Sequence, residues 1–503
     1  MNKYFYVIIL AMLASVEVEA QHASDYKEAT SKPRLIVNIV VDQLCSENLE
    51  EFMSLYEIDG WRRLLDNGMV YTHGKIPFLP VDRASAVAAL STGSYPFYNG
   101  IPSAEWISRK TTLLMGCTSD NSSLLTPRGV SPSPVNLLSS TLSDEMKIAS
   151  GKQALVYSVA IDSEAAVFLS GHCADGAFWL DSENGRWASS SYYAQEPLWL
   201  QQYNTMAQPS KKVKHGKESF SGDMRFLDYK RSQYVNSDVT DFALKCVSST
   251  MTGVDETTDL LNIEYYAGMP YTDGKINASG SVSETYVSLD RALAKLINGI
   301  EERVGRGRTL YVLSSTGYLE ELHTDYKAFN IPSGTVYINR TANLLNMYLS
   351  AIYGQAHYIA GYRDRQIYLD RKVIERRKLG MYEVLERCKE MLLMSDGISD
   401  VKTLFSLSTA SDPMSILLRN GMSAEVSGDI VLEVYPGWKV VNEENMRTYP
   451  SHQYGFLFPI VFYGAGVEKG TVTHEVTTDM IAPTICKTIR IRAPNACKSS
   501  PIR

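Results

Sequence analysis

After its first fourteen or so residues the chain has no apolar stretch approaching the ~18 residues needed to span a membrane. It also has no dense basic stripe: net charge is −7 over 503 residues, and the one cationic cluster, Arg371 to Lys378, is broken by Val373 and Ile374 like a solvated helix face. A nucleic-acid partner is therefore not expected. Cysteine is sparse, seven in all, an odd number that leaves at least one thiol unpaired even in an oxidising compartment. Cys486 and Cys497 are the first pair to consider for a disulfide. Residues 1–20 carry a lone Lys3, an apolar core from Tyr4 to Ala14, and Val18-Glu19-Ala20, the small-x-small pattern of a signal peptidase site. The expectation is export to the periplasm or cell surface after cleavage behind Ala20, without a lipoprotein anchor, because no Cys follows the apolar core.

What is present is an α/β pattern. Leu35 to Val41 is an apolar, β-branched run ending on Asp42, which reads as a buried parallel strand with a carboxylate at its carboxyl end, where ligands of open α/β sheets gather. Ala154 to Ala160, Leu310 to Leu313 and Pro459 to Tyr463 read the same way, and Tyr286 to Gly305 reads as a helix between them. Pro80-Val81-Asp82-Arg83-Ala84-Ser85 leads into a small-residue helix ending at Thr92-Gly93. One core from residue 33 to 503 fits better than several domains, with a small α+β insertion at about 335–425. Its elements are Val336 to Ile338, Asn343 to Tyr353, His357 to Ala360, Gln366 to Asp370 and Met381 to Met394. Tyrosine is abundant, 31 residues. Ser191-Tyr192-Tyr193 near Trp187 and Trp199 has the aromatic density of a glycan or protein contact, or of ordinary packing.

Framework segments recur in order: Val41-Asp42-Gln43, Trp61 to Gly68, Ser91-Thr92-Gly93, Asn99-Gly100-Ile101, Gly171 to Trp179, Glu284 to Asp290, Pro459 to Val467 and Asp479 to Thr484. On these the chain resembles the alkaline phosphatase superfamily, in its exported phosphatase and nucleotide pyrophosphatase/phosphodiesterase branch. The resemblance implies a three-layer core with a mainly parallel sheet between helices, the insertion lying over the active-site face, and zinc-dependent phosphoester hydrolysis. Carried over residue by residue, the chemistry is missing. The nucleophile position is Arg83, whose guanidinium stays protonated and cannot attack phosphorus. The phosphate-binding Asn is matched by Ala104, and the clamping Lys and Arg by Asp162 and Glu164. Zinc-ligand positions are matched by Met269, Asp273, Ser315, Thr316 and Leu457, and between Leu261 and Asp290 there is no histidine. Only Asp42 and Asp273 retain a usable donor, and two absent zinc ions would remove about four positive charges from a pocket built for a phosphoryl dianion.

Arg83 has two readings: an internal ion pair with Asp42, Asp82 or Glu164, or an anion-binding arginine at a helix N-terminus. Ser85 reads as a cap or packing residue, with a displaced nucleophile as the alternative. His172, Cys173 and Asp175 form a local donor cluster that suits structural hydrogen bonding or a metal. His323, near Glu320 and Glu321, is a candidate for a rearranged ligand. The expectation is a pseudoenzyme without a zinc cofactor, retained to bind a protein, a glycan or an anion. Two alternatives stand beside it. One is an active phosphoric ester hydrolase using calcium or magnesium on Asp42, Asp82, Asp273 and His323. The other is a metal-free receptor holding an anion on Arg83.

Overall fold

The structure, a computed structural model, describes residues 32–120, 131–207, 214–215, 218–277, 279–320, 329–445, 447–449 and 452–502. The expected signal peptide and His323 lie outside the described residues.

Nine strands form the central sheet: β1 (Leu35–Asp42), β2 (Met69–Lys75), β3 (Val156–Ala160), β4 (Gly176–Leu180), β5 (Trp187–Ser189), β6 (Asp259–Tyr266), β7 (Thr309–Ser315), β8 (Phe458–Gly464) and β9 (Gly470–Thr477). Their order is β9-β2-β8-β7-β1-β6-β3-β4-β5. The run β7-β1-β6-β3-β4 is parallel throughout, whereas β8 is antiparallel to both its neighbours and β5 is antiparallel to β4. Side-chain alternation explains why β1 has no polar face. Leu35, Val37, Ile39 and Val41 join one core cluster with Phe242, Leu289 and Leu293 from the helices Val235–Thr250 and Val282–Val304. Ile36 and Val40 join the cluster of the opposite face, with Ala84, Val87 and Phe168 from the helices Arg83–Thr92 and Ser163–Ser170. Asn38, on that second face, is satisfied by Asn262 of β6 at 2.9 Å. A strand buried on both sides and layered by helices is the three-layer α/β core.

The insertion has its own hydrophobic core, around Leu345, Leu349, Tyr358, Ile367 and Leu432. Its four-stranded antiparallel sheet runs in the order Ile359–Arg363, Gln366–Leu369, Ile430–Val434, Ile398–Thr403, and the helices Ile338–Tyr353 and Met381–Leu393 pack on it. Trp438–Asn442 also pairs in parallel with Gly334–Tyr337. Two of the strands in these sheets, Ile430–Val434 and Trp438–Asn442, come after residue 425. A short hairpin, Glu105–Ile107 with Leu114–Gly116, ties it to the core. Arg363 pairs with Glu105, and Asp429 accepts from Arg109 at 3.0 Å, Arg371 at 2.7 Å and the Leu369 amide at 2.8 Å.

One expectation needs correction. Cys486 and Cys497 do not form a disulfide; every described cysteine is a free thiol. Cys486 is buried under its helix, and the Cys497 Sγ is directed to the Ser499 carbonyl at 3.5 Å. In the aromatic group near residue 190, Trp187 and Tyr193 pack into the fold, the default reading of that density, while Tyr192 is exposed. Trp187 is 1 % exposed and stacks on Phe242 at 4.0 Å, and the Tyr193 hydroxyl donates to the carbonyls of Gly171 and Val167. No helix among the described residues is long and apolar enough to cross a membrane.

Candidate functional site

The carboxyl ends of the parallel strands converge on Arg83. Asp82 caps the Arg83–Thr92 helix: its Oδ1 accepts the Ser85 amide at 2.9 Å, and the Ser85 hydroxyl accepts the Asp82 amide at 3.0 Å. Ser85 is thus a capping residue with no exposure, and Gly93 closes the helix in the left-handed region at φ 60°. This cap fixes Arg83 at the first helical position, with its side chain across the ends of β1, β3 and β6.

Four carboxylates meet that side chain. The Arg83 Nε donates to Asp42 Oδ2 at 3.0 Å and stands 3.4 Å from Glu264 Oε1; its terminal nitrogen pairs with Asp162 and, at 3.2 Å, with Glu164. Asp82 takes no part, since its second oxygen accepts the Ala104 amide at 2.7 Å. Two further cations close the cluster from below. Lys230 and Arg231 each reach Asp162 at 2.5 Å, and Arg231 lies over the Tyr266 ring at 5.3 Å.

The electrostatics follow from burial and pairing. Burial opposes the charge on Arg83, but Asp162 and Asp42 outweigh it and hold the guanidinium well above its ordinary value. Burial likewise opposes the charge on Asp162, yet Arg231, Arg83 and Lys230 drive its carboxyl well below the usual range. Glu264, with no solvent exposure, is pushed up to about 8, mainly by burial and further by Asp162 and Asp42, against Arg83. Burial and then Asp162 also raise Glu164. Burial and the neighbouring carboxylates thus favour a proton on Glu264, and Asp42, Asp162 and Glu164 face the three cations Arg83, Lys230 and Arg231.

The residues present do not fit zinc. Asp42 is fully committed, Oδ2 to Arg83 and Oδ1 to the Thr316 hydroxyl at 3.0 Å. Thr316 in turn accepts the Gln43 amide at 3.0 Å, and the Ser315 hydroxyl donates to the Leu44 carbonyl at 2.7 Å. Leu457 and Met269 offer no useful donor, and both meet the fold through backbone carbonyls, which accept from the Ser46 amide and the Tyr266 hydroxyl. Asp273 is not brought to Asp42. It sits in a hairpin turn at φ 51°, its amide bound by Asp228 at 2.9 Å, and lines a separate cavity with Tyr234 and Glu284. With Asp82 capping a helix as well, the hard-cation set of Asp42, Asp82 and Asp273 is not assembled. Calcium or magnesium at Asp42 would have to displace a guanidinium.

Both ring nitrogens of His172 have partners within the protein. Its Nδ1 pairs with Asp144 at 3.0 Å and its Nε2 with the Leu137 carbonyl at 3.2 Å. The Asp144 hydrogen bond raises its pKa above the ordinary value. Asp175 is taken by Lys147 at 2.9 Å.

Sequence reasoning missed Lys230, Arg231 and Glu264. A glutamate in the apolar β6 run was a usable signal, since a buried carboxylate needs a partner or a proton. Lys230 and Arg231, at the end of the Arg225–Lys230 helix, had no such signal.

Above Arg83 lies a cavity of about 710 Å³ between core and insertion, lined on one side by Asp82, Arg83 and Ala104 and on the other by Arg363 to Gln366 and Val431 to Val434.

Comparison with known proteins matches residues 36–456 to the type I phosphodiesterase / nucleotide pyrophosphatase family. The chain is 27 % identical to a protein of Myroides odoratus named calcium-transporting ATPase, over 95 % of each chain. It is 25 % identical to alkaline phosphatase PafA of Elizabethkingia meningoseptica, over 98 % of each. A crystal structure of wild-type PafA has the same fold, with a TM-score of 0.80 at 24 % identity over 94 % of this chain and 99 % of that one.

Proposed function

We propose, from the premise that this chain belongs to the type I phosphodiesterase / nucleotide pyrophosphatase family within the alkaline phosphatase superfamily, that it is an exported pseudoenzyme which binds rather than hydrolyses. One observation carries the reading: the position of the nucleophile holds Arg83, and that guanidinium is locked among Asp42, Asp162, Glu164 and Glu264. A hydrolase of this family needs an attacking group and positive charge facing the phosphoryl oxygens. Here the attacking group is a cation, and the positive charge is consumed inside the protein. Asp162 and Glu164, where the resemblance implies a cationic clamp, turn the clamp into part of the internal neutralisation. No metal cofactor is part of this reading. The superfamily's fold survives because its two core faces do not depend on the residues exchanged.

The test is hydrolysis by the purified chain, incubated with zinc, of p-nitrophenyl phosphate, bis(p-nitrophenyl) phosphate and p-nitrophenyl sulfate. We expect no turnover above the zinc-containing buffer. Hydrolysis that disappears with chelator and in Asp42→Asn would contradict the reading.

A further inference from the structure

The charge lining the cavity above Arg83 has the opposite sign to the one a phosphate ester requires. Among the described residues six carboxylates line it, Asp82, Glu105, Glu164, Glu320, Asp364 and Glu433, against three guanidiniums, Arg83, Arg363 and Arg365. The cations are already engaged. Arg83 serves the buried cluster, Arg363 pairs with Glu105 and lies over the Tyr449 ring at 5.1 Å, and Arg365 acts on Glu433. An anion entering here would have to break one of these pairings and leave a carboxylate uncompensated.

The rest of the wall suits a cation with an apolar body. Tyr318, Tyr368, Tyr449 and Tyr454 line the cavity together with Met414, Leu418 and Val431. Aromatic faces attract cations, and two of these rings already hold one: Arg363 on Tyr449, and Arg109 on Tyr368 at 5.4 Å. Glu433 is half-buried between the insertion's sheet and the cavity, and burial and then Asp400 hold it above the usual carboxylate range, against Lys402 and Arg365.

We propose that this cavity takes an organic cation, an ammonium group carried on an apolar stem, in place of the family's phosphate ester. The proposal rests on the non-hydrolysing reading above. The apolar stem lies against the tyrosines, Leu418 and Val431, and the ammonium group faces Glu433 and Glu320, since Asp82, Glu105 and Glu164 are already held by the Ala104 amide, Arg363 and Arg83.

The test is calorimetric titration of the purified chain with three probes sharing one stem: hexylammonium, hexyl phosphate and 1-hexanol. We expect hexylammonium to bind about tenfold tighter than hexanol, the scale of one cation–π contact with one charge-assisted contact. That preference falls at high salt and in Glu433→Gln; Glu320→Gln, on the core side of the cavity, provides a second variant should the first not fold. Hexyl phosphate binding intact as tightly as hexylammonium, charge-indifferent binding, or binding of none of the three would overturn the inference and leave the non-hydrolysing reading in place. Phosphate released from hexyl phosphate would overturn that reading and the inference with it.

Discussion

Arg83 donates to Asp42 through Nε at 3.0 Å, so the residue that stands where the family's nucleophile would be neutralises the residue that stands where a zinc ligand would be. On the assignment of these positions proposed above, one contact disables both. The Asp42 carboxylate is 1 % exposed, and its other oxygen is held by Thr316. In a site so dry, an ion pair persists because each partner, alone, would be an uncompensated buried charge.

Removing the guanidinium leaves Asp42 and Glu164 without their cation, while Asp162 keeps Lys230 and Arg231. We expect Arg83→Ala to destabilise the fold by about 3–5 kcal/mol in urea unfolding, and Arg83→Lys by less, since an ammonium restores charge but not the fork that reaches several partners. A loss under about 0.5 kcal/mol would mean that the cluster is not a stabilising element. Neither variant is expected to gain hydrolysis, because neither supplies a nucleophile or a metal site.

Glu264 gives the molecule a pH dependence whose sign is fixed by its raised pKa. Its carboxyl keeps a proton in the folded chain up to about pH 8, whereas the unfolded side chain releases it near 4.5. Between those values the folded state binds the extra proton, so stability falls as pH rises from about 4.5 to about 8. Glu264→Gln, neutral in both states, is expected to flatten this slope in chemical unfolding measured across that window. An unchanged slope would assign the pH dependence to other groups.

Asp429 is the clasp between insertion and core, since Arg109 of the core and Arg371 of the insertion both end on it. We expect Asp429→Ala to lower the protection of amides in Gln366–Leu369 and Ile430–Val434 in hydrogen exchange, with β1 and β6 unaffected. Uniform loss across the chain would instead indicate global destabilisation, and no loss would remove the clasp from the account.

The three-layer core was legible in the sequence because β1, β3, β7 and β8 are apolar runs with one possible fate, burial on both faces. The proposed exchanges at Arg83, Ser315, Thr316 and Leu457 rest on framework segments that flank them closely in the sequence. The cluster around Arg83 was only half visible. Asp42, Asp162 and Glu164 each lie at or just beyond the end of a strand, whereas Lys230 and Arg231 arrive from a helix whose placement no local pattern encodes. Asp273 misled because a count along the chain cannot see that a hairpin turns its tip toward Asp228. The far edge of the insertion is hard to read along the chain, because Ile430–Val434 pairs both with Ile398–Thr403 and with Gln366–Leu369, some sixty residues earlier.

The most direct test of the central claim is the metal content of the purified chain by elemental mass spectrometry, after incubation with zinc and removal of the excess. We expect no stoichiometric zinc, because Arg83 and Thr316 hold both oxygens of Asp42 and, of the other ligand positions, only Asp273 carries a carboxylate, which lines a separate cavity. About two zinc ions per chain would contradict the account and return the protein to the metal-dependent hydrolases.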